Sequence, residues 1–470
     1  MHTGEVIAVK LTILGGGGFR VPLVYRALLG DRGAGRVTEV ALHDLDARRL
    51  ETIRRVLADQ AARAGSAAET APPPPRVTAT TDADEALRGA DFVFSAIRVG
   101  GAAGRVADER VALAEGVLGQ ETVGAGGIAY GLRTVPVARA YAERIARVAP
   151  EAWTINFTNP AGLVTEAMAA VLGERVIGIC DSPVGLGRRV ARALGADPAR
   201  ARLDYAGLNH LGWLQAVELD GRDLLPDLFA QPDAVLSGFE EGALFGPALL
   251  RDLRCVPNEY LHYYYYAREA VASVRAADRT RGEFLRAQQD RFYASMSGQE
   301  PGAAGAFAAW DAVRREREAT YMAENREAAG LGEREEADVE SGGYEKVALA
   351  LMRAIARDEQ TVLILNVPNR LPGGGRRIEA LDERGVVEVP CAVDAAGPRL
   401  LPGRALPAHA AALAAAVKAV DREILHAAES GELAAARRAF ALHPLIDSYT
   451  TAARLTDAYR STHPGLAYLR

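Results

Sequence analysis

A chain of 470 residues exceeds one ordinary domain of about 100–200 residues, and its 49% hydrophobic and 25% charged content suits two or more packed lobes and excludes wholesale disorder. The net charge of −6 argues against nucleic acid as a partner, and no apolar run approaches the roughly 20 residues needed to cross a bilayer. Three scattered cysteines (Cys180, Cys255, Cys391) and the lack of a signal-peptide pattern at Met1–Gly4 exclude a disulfide framework and point to a reducing cytoplasm.

Glu5–Leu14 reads as a buried strand, because Val6, Ile7, Val9, Leu11, Ile13 and Leu14 surround little that is polar. Gly15–Gly18 follow, and then Val21–Leu29 carries an apolar face at helical spacing. A second strand, Val37–Leu42, runs into His43-Asp44-Leu45-Asp46, where Asp46 is positioned to cap the next helix. Pro72–Pro75 form a stiff surface spacer. A strand at Arg76–Ala79, an acidic helix at Asp82–Leu87, and strands at Asp91–Ala96, Trp153–Phe157 and Val176–Ile179 complete this part. Strands alternating with helices predict a doubly wound, Rossmann-type α/β domain over residues 1–195. Residues 196–470 read as a mixed α+β domain for substrate binding and oligomerisation. It has sheet at Arg202–Gly207 and Trp213–Glu218, helices from Pro247 to Arg357, and strands at Thr361–Val367 and Gly385–Val389 around a turn at Pro372–Gly375. An alanine-rich helical stretch closes it from Ala405 to Phe440.

The chemistry begins at Gly15, Gly16, Gly17 and Gly18. Small residues between a strand and a helix let backbone approach a pyrophosphate, whose charge the helix N-terminus meets. Read alone the run is a tight turn, and Arg20 and Val21 stand where a strict dinucleotide fingerprint wants glycine. Asp44 after the second strand is placed to bond the ribose hydroxyls of NAD and to repel a 2′-phosphate. Arg98 and Arg105, just beyond another strand end, suit an anionic group or plain solvation. Gly119–Gly127 has the composition of a binding loop. Asn159, before Pro160, is either a helix N-cap or an amide for a sugar. Cys180 and His210 are either packing or two ligands of a borderline metal. In Tyr260–Tyr266, one phenol is able to act as a base if its pKa falls.

Taken in order, these segments resemble the NAD- and metal-dependent family 4 glycoside hydrolases. The pieces are Gly15–Gly18, Ile97–Gly101, Gly119–Gly127 with Arg133-Thr134-Val135-Pro136, Asn156–Gly162, Cys180–Pro183, Asn209–Gly212, Pro257–Tyr264 and Val387–Cys391. The resemblance implies that NAD⁺ takes hydride from C3 of a sugar, a tyrosine takes the acidified C2 proton, the C1–O bond breaks by elimination, water adds and the hydride returns. It makes Cys180 and His210 the ligands of a Mn²⁺-type ion, Tyr260 the base with Tyr263 as the fallback, and Arg98, Asn159 and Arg281 substrate contacts. The Phe157–Glu166 and Gly119–Gly127 segments look most like the 6-phospho-β-glucosidase branch. Asp181, after the cysteine, looks instead like the phospho-α-glucosidase branch, where this carboxylate is the acid. The substrate expected is a phosphorylated glycoside and the assembly a homodimer or homotetramer. Two rival readings are an NAD-dependent dehydrogenase of the malate or lactate type, which has no need of the Cys180/His210 pair, and a catalytically inert sugar-phosphate sensor.

Overall fold

The computed structural model of the chain describes residues 8–66, 72–297, 305–320 and 343–470. Its first six strands are β1 (Val9–Leu14), β2 (Val37–His43), β3 (Arg76–Thr80), β4 (Phe92–Ser95), β5 (Trp153–Asn156) and β6 (Val176–Gly178). All pair in parallel, and helices α1 (Val21–Leu29), α2 (Ala47–Ser66), α3 (Ala83–Leu87), α4 (Gly101–Ala114), α5 (Gly124–Val148) and α6 (Ala161–Leu172) connect them. In space the strands lie β3-β2-β1-β4-β5-β6, the dinucleotide-fold order, with the chain reversing direction of travel between β1 and β4. Leu11, Ile13, Val40, Leu42 and Ile155 are wholly buried, because helices cover both faces of a parallel sheet.

After α7 (Ser182–Ala193) the same sheet continues. It takes in β7 (Arg202–Leu208), β8 (Leu211–Leu219), β9 (Arg222–Asp223), β10 (Val256–Pro257), β11 (Thr361–Pro368), β12 (Val386–Asp394) and β13 (Gly397–Leu400). β11 docks antiparallel on β6 at Asn366–Gly178, and β12, β7 and β8 follow outward, making one sheet of 13 strands among the described residues. Pairing therefore runs across residue 195 without a break. Buried Glu166 of α6 ties the halves together: it accepts from Val386 N at 2.8 Å and from Lys418 Nζ at 3.1 Å, and meets Arg422 at 2.8 Å.

Between β9 and β11 lie α8 (Leu225–Phe229), α9 (Asp233–Leu236), α10 (Glu240–Leu253), α11 (His262–Tyr265), α12 (Ala267–Ala276), α13 (Arg281–Ser297), α14 (Ala306–Ala319) and α15 (Tyr344–Arg357). The last helices, α16 (Ala408–Ser430), α17 (Leu433–Leu442) and α18 (Tyr449–Thr462), share a core with α5 through Ile128, Leu132, Ile424, Phe440 and Leu455. No helix among the described residues is long and apolar enough to cross a membrane.

Most expected elements are present with small shifts at their ends. β1 starts at Val9, and Glu5, Val6 and Ile7 of the expected strand lie outside the described residues. Asp46 does cap α2, accepting from Arg48 N and Arg49 N at 2.9 and 3.1 Å. The strand expected at Gly385–Val389 runs on to Asp394, because Cys391 and Val393 keep burying against the sheet. Asn159 does not cap α6: the helix starts at Ala161 with Pro160 in the cap position and no side-chain cap bond.

Candidate active site

Where the strand order reverses, a cavity of about 340 Å³ opens at the carboxyl ends of β1, β4, β5 and β6. Gly15 and Gly18 line it. Gly15 has φ of 83°, and a Cβ there would lie 2.5 Å from the Ala96 carbonyl oxygen, so only glycine lets β1 turn this close to β4. The amides of Gly15 and Gly16 donate to His43 C=O at 2.9 and 2.7 Å. Asp44 braces the same turn: Oδ2 accepts from Gly17 N at 3.0 Å and Oδ1 from Asp46 N at 3.1 Å.

Cys180 lies two residues past the end of β6, and His210 sits in the tight β7–β8 turn with φ of 61°. Both line the cavity. Thr122 Oγ1 donates to Gln120 Oε1 at 3.2 Å, so it accepts from His210 Nδ1 at 3.0 Å and leaves Nε2 with the lone pair. Burial pushes the His210 pKa down to about 4, which keeps the ring neutral and able to bind a metal. Burial, then the Glu388 and Asp181 carboxylates, hold the Cys180 thiol far above its ordinary range, so a cation is needed to draw out its thiolate. One sulfur and one nitrogen donor suit a borderline divalent ion. Among the described residues no group of three or more His, Cys, Asp or Glu could hold a metal.

Tyr260 stacks face to face on His210, with ring centroids 3.7 Å apart and planes at 6°. Its amide donates to Asn258 Oδ1 at 3.0 Å, which fixes the turn that carries it. Tyr263 also lines the cavity, but it lies 6.3 Å from Tyr260 and packs with Leu118 and Val123. Tyr260 packs against the same Leu118 and Val123 cluster while stacking on His210.

The cations differ in their partners. Arg98 meets Glu121 at 2.5 Å, and Arg105 meets both Glu121 and Glu109, the latter at 2.9 Å. Burial works to raise the Glu121 carboxyl, but Arg105 and Arg98 outweigh it and hold the group well below the usual carboxylate range. Arg281 donates to Thr320 Oγ1 at 2.7 Å and to Arg317 C=O at 2.9 Å. Arg317 makes no ion pair among the described residues; burial first, then Arg20, with smaller shares from Arg281 and Arg105, lower its pKa to about 9. Asn159 lines the cavity with a buried Oδ1 that has no partner among the described residues, and Asp181 lines it at the start of α7.

All the expected residues except Gly16, Gly17 and Asp44 line this one cavity, and those three brace the turn behind it. Sequence reasoning missed Arg317, Thr122 and Glu259. Glu259 is a buried wall residue whose Oε1 accepts from Ser182 Oγ at 2.6 Å; burial, then Glu241, push its pKa up to about 7. Arg317 lies in Arg314-Arg315-Glu316-Arg317-Glu318, a pattern that reads as an exposed helix face.

A doubly wound sheet extended by antiparallel strands, with Cys180 and His210 lining the same cavity as Gly15 and Gly18, defines a chain of the dinucleotide-fold class. The chain belongs to the family 4 glycosyl hydrolases: residues 10–196 match that family, and residues 205–446 match its C-terminal domain. A Bacillus subtilis (strain 168) protein named probable 6-phospho-beta-glucosidase is 31% identical over 397 residues, covering 83% of this chain and 82% of its own. The 6-phospho-alpha-glucosidase 1 of Lacticaseibacillus paracasei is 30% identical over 418 residues, covering 84% of each chain. Among solved structures, the Thermotoga maritima 6-phospho-beta glucosidase with manganese, NAD⁺ and glucose-6-phosphate superposes with a TM-score of 0.77 over 97% of this chain and 98% of its own; at 24% identity this likeness shows the fold.

Proposed function

We propose that the chain hydrolyses 6-phosphoglucosides, 6-phospho-β-glucosides foremost, with NAD and a divalent cation such as Mn²⁺. One observation carries this reading: the glycine turn, Cys180, His210, the stacked Tyr260 and Arg317, which makes no ion pair among the described residues, share one cavity. The β-anomer is supported by the Bacillus subtilis relative. NAD would rest on Gly15–Gly18 beside Asp44, and Cys180 and His210 would hold the cation. Bound, the two supply a reversible hydride acceptor and a Lewis acid toward sugar oxygens. Residues 1–195 then serve the cofactor, and residues 196–470 complete the metal and substrate ends.

Tyr260 removes the sugar C2 proton. Its ring is pinned flat on His210, and the Arg105 guanidinium, which interacts electrostatically with this phenol, favours the phenolate. Asp181 gives a proton to the leaving oxygen. Asn159 offers its unpartnered carbonyl oxygen to a sugar hydroxyl. Arg281 and Arg317 take the 6-phosphate, while Arg98, already held by Glu121, contributes through its remaining N–H groups. The three cysteines are buried and unbridged, which supports a cytoplasmic enzyme; we propose a homodimer or homotetramer on the family resemblance.

The second reading is the α-anomer by the same route, favoured by the carboxylate of Asp181 and by the Lacticaseibacillus paracasei relative. The deciding assay uses p-nitrophenyl 6-phospho-β- and 6-phospho-α-glucosides with and without NAD⁺ and Mn²⁺. Hydrolysis of the β-substrate that needs both additions and accumulates no NADH is expected. Faster α-hydrolysis reverses the anomer, and full activity of dialysed enzyme without NAD⁺ overturns the mechanism.

A further inference from the structure

Three helices from the second half of the chain each set an aromatic donor on the glycine turn. Tyr293 of α13 donates its hydroxyl to Gly17 C=O at 2.7 Å, Trp310 of α14 its indole N–H to Phe19 C=O at 2.8 Å, and Tyr344 of α15 its hydroxyl to Arg20 C=O at 3.0 Å. Packing fixes each donor. Phe19 meets Phe292 edge-on at 5.5 Å and Trp310 at 5.9 Å, Tyr344 stacks on Phe157 at 4.0 Å, and the Arg49 guanidinium lies over Tyr293 at 4.4 Å. Trp310 and Tyr344 are buried. His43 C=O, Asp44 and Gly15 C=O already take the four glycine amides, and the three aromatic donors add a hold on the carbonyls from Gly17 to Arg20. The N–H groups of the peptides whose Gly17 and Arg20 carbonyls are held bond inward, Gly18 N to Gly15 C=O at 2.9 Å and Val21 N to Gly18 C=O at 3.1 Å, so the outer grips and the inner bonds together fix the shape of Gly17–Arg20.

We propose that Tyr293, together with Trp310 and Tyr344, are positioning residues that hold Gly17–Arg20 in the conformation that receives the cofactor's diphosphate. This deepens the proposed function and rests on its dinucleotide reading of the turn. The helices that grip the turn also carry Arg281, at the start of α13, and Arg317, near the end of α14, so the cofactor turn and the cationic wall are set by the same bodies.

The test is NAD⁺ binding by titration calorimetry on the full chain, with glucose 6-phosphate binding and the thermal midpoint measured alongside. Tyr293→Phe keeps the ring and removes one donor, so the fraction of turn already competent falls and the NAD⁺ Kd rises by about fivefold, the population equivalent of one net hydrogen bond. Tyr344→Phe repeats the test at an independent grip, and the double variant should approach the product of the two. Glucose 6-phosphate affinity stays put, and the midpoint barely moves. An unchanged NAD⁺ Kd in both variants, with tight wild-type binding, overturns the positioning role and leaves the dinucleotide reading intact. Parallel weakening of both ligands with a lowered midpoint also overturns it, because that is the mark of general packing. A wild-type chain that does not bind NAD⁺ overturns both.

Discussion

Replacing Arg317 by methionine separates what the cationic wall does for the fold from what it does for a ligand. The Arg317 guanidinium makes no ion pair among the described residues; burial first, then Arg20, with smaller shares from Arg281 and Arg105, lower its pKa to about 9. A cation whose pKa is depressed destabilises the folded chain at every pH below the depressed value, and the penalty fades as pH climbs above 9 toward the ordinary guanidinium range. At 1.36 kcal/mol per pKa unit the penalty is several kcal/mol, and solvent reaching this partly exposed side chain reduces it to about 1–3 kcal/mol. Methionine keeps an unbranched stem of similar length beside Phe19 and drops the charge, so ligand-free Arg317→Met should melt higher than wild type at pH 7. Against a 6-phosphorylated glycoside the same change removes a charge-assisted contact worth about 1.5–3 kcal/mol, or roughly 12- to 160-fold in kcat/KM. The unphosphorylated glycoside should lose almost nothing. Differential scanning calorimetry without ligand and paired kcat/KM values on the two substrates read both halves. A lower melting point together with an unchanged preference for the phosphorylated substrate would refute the reasoning.

Two further outcomes follow from the same cavity. Cys180→Ser and His210→Ala should each lower activity at least a thousandfold while leaving NAD⁺ binding within about twofold, since neither residue belongs to the glycine turn; calorimetry with NAD⁺ separates this from misfolding. Deuterium at the substrate's C2 should slow turnover, and product formed in D₂O should carry deuterium there. Tyr260→Phe should remove activity while preserving the stack on His210, and a Tyr260→Phe variant with unchanged rate would move the base to Tyr263.

The β1–glycine turn–α1–β2–Asp44 run was legible because each piece is local: an apolar run, four small residues, a helical face and an acid at a strand end. Asp46 as a cap was legible for the same reason, since its acceptors lie two and three residues away. The site's electrostatics were not local. Arg98 reads as a ready phosphate partner until Glu121, 23 positions later, claims it. Nothing in the spacing announces that, because the pair forms only when the loop after β4 and the segment before α5 come together. Asn159 failed as a helix cap for a related reason: Pro160 takes the cap position and leaves the amide oxygen buried toward the cavity. The strands at 361–368 and 386–394 were visible as strands, yet their place beside β6 was not, since a hydrophobic run does not name its partner.

That placement has a consequence for how the chain is made. β6 is three residues long, and among the described residues β11 pairs along its outer edge, while the buried Glu166 finds Val386 220 residues further along. At a synthesis rate of roughly 5–20 residues per second, the parallel half emerges some 10–45 seconds before that partner exists. During that interval it presents an open strand edge and an acid without its Val386 and Lys418 partners, a template for stray strand pairing. Slowed synthesis between β6 and β12 should therefore lower the soluble yield even though no folded-state contact has changed.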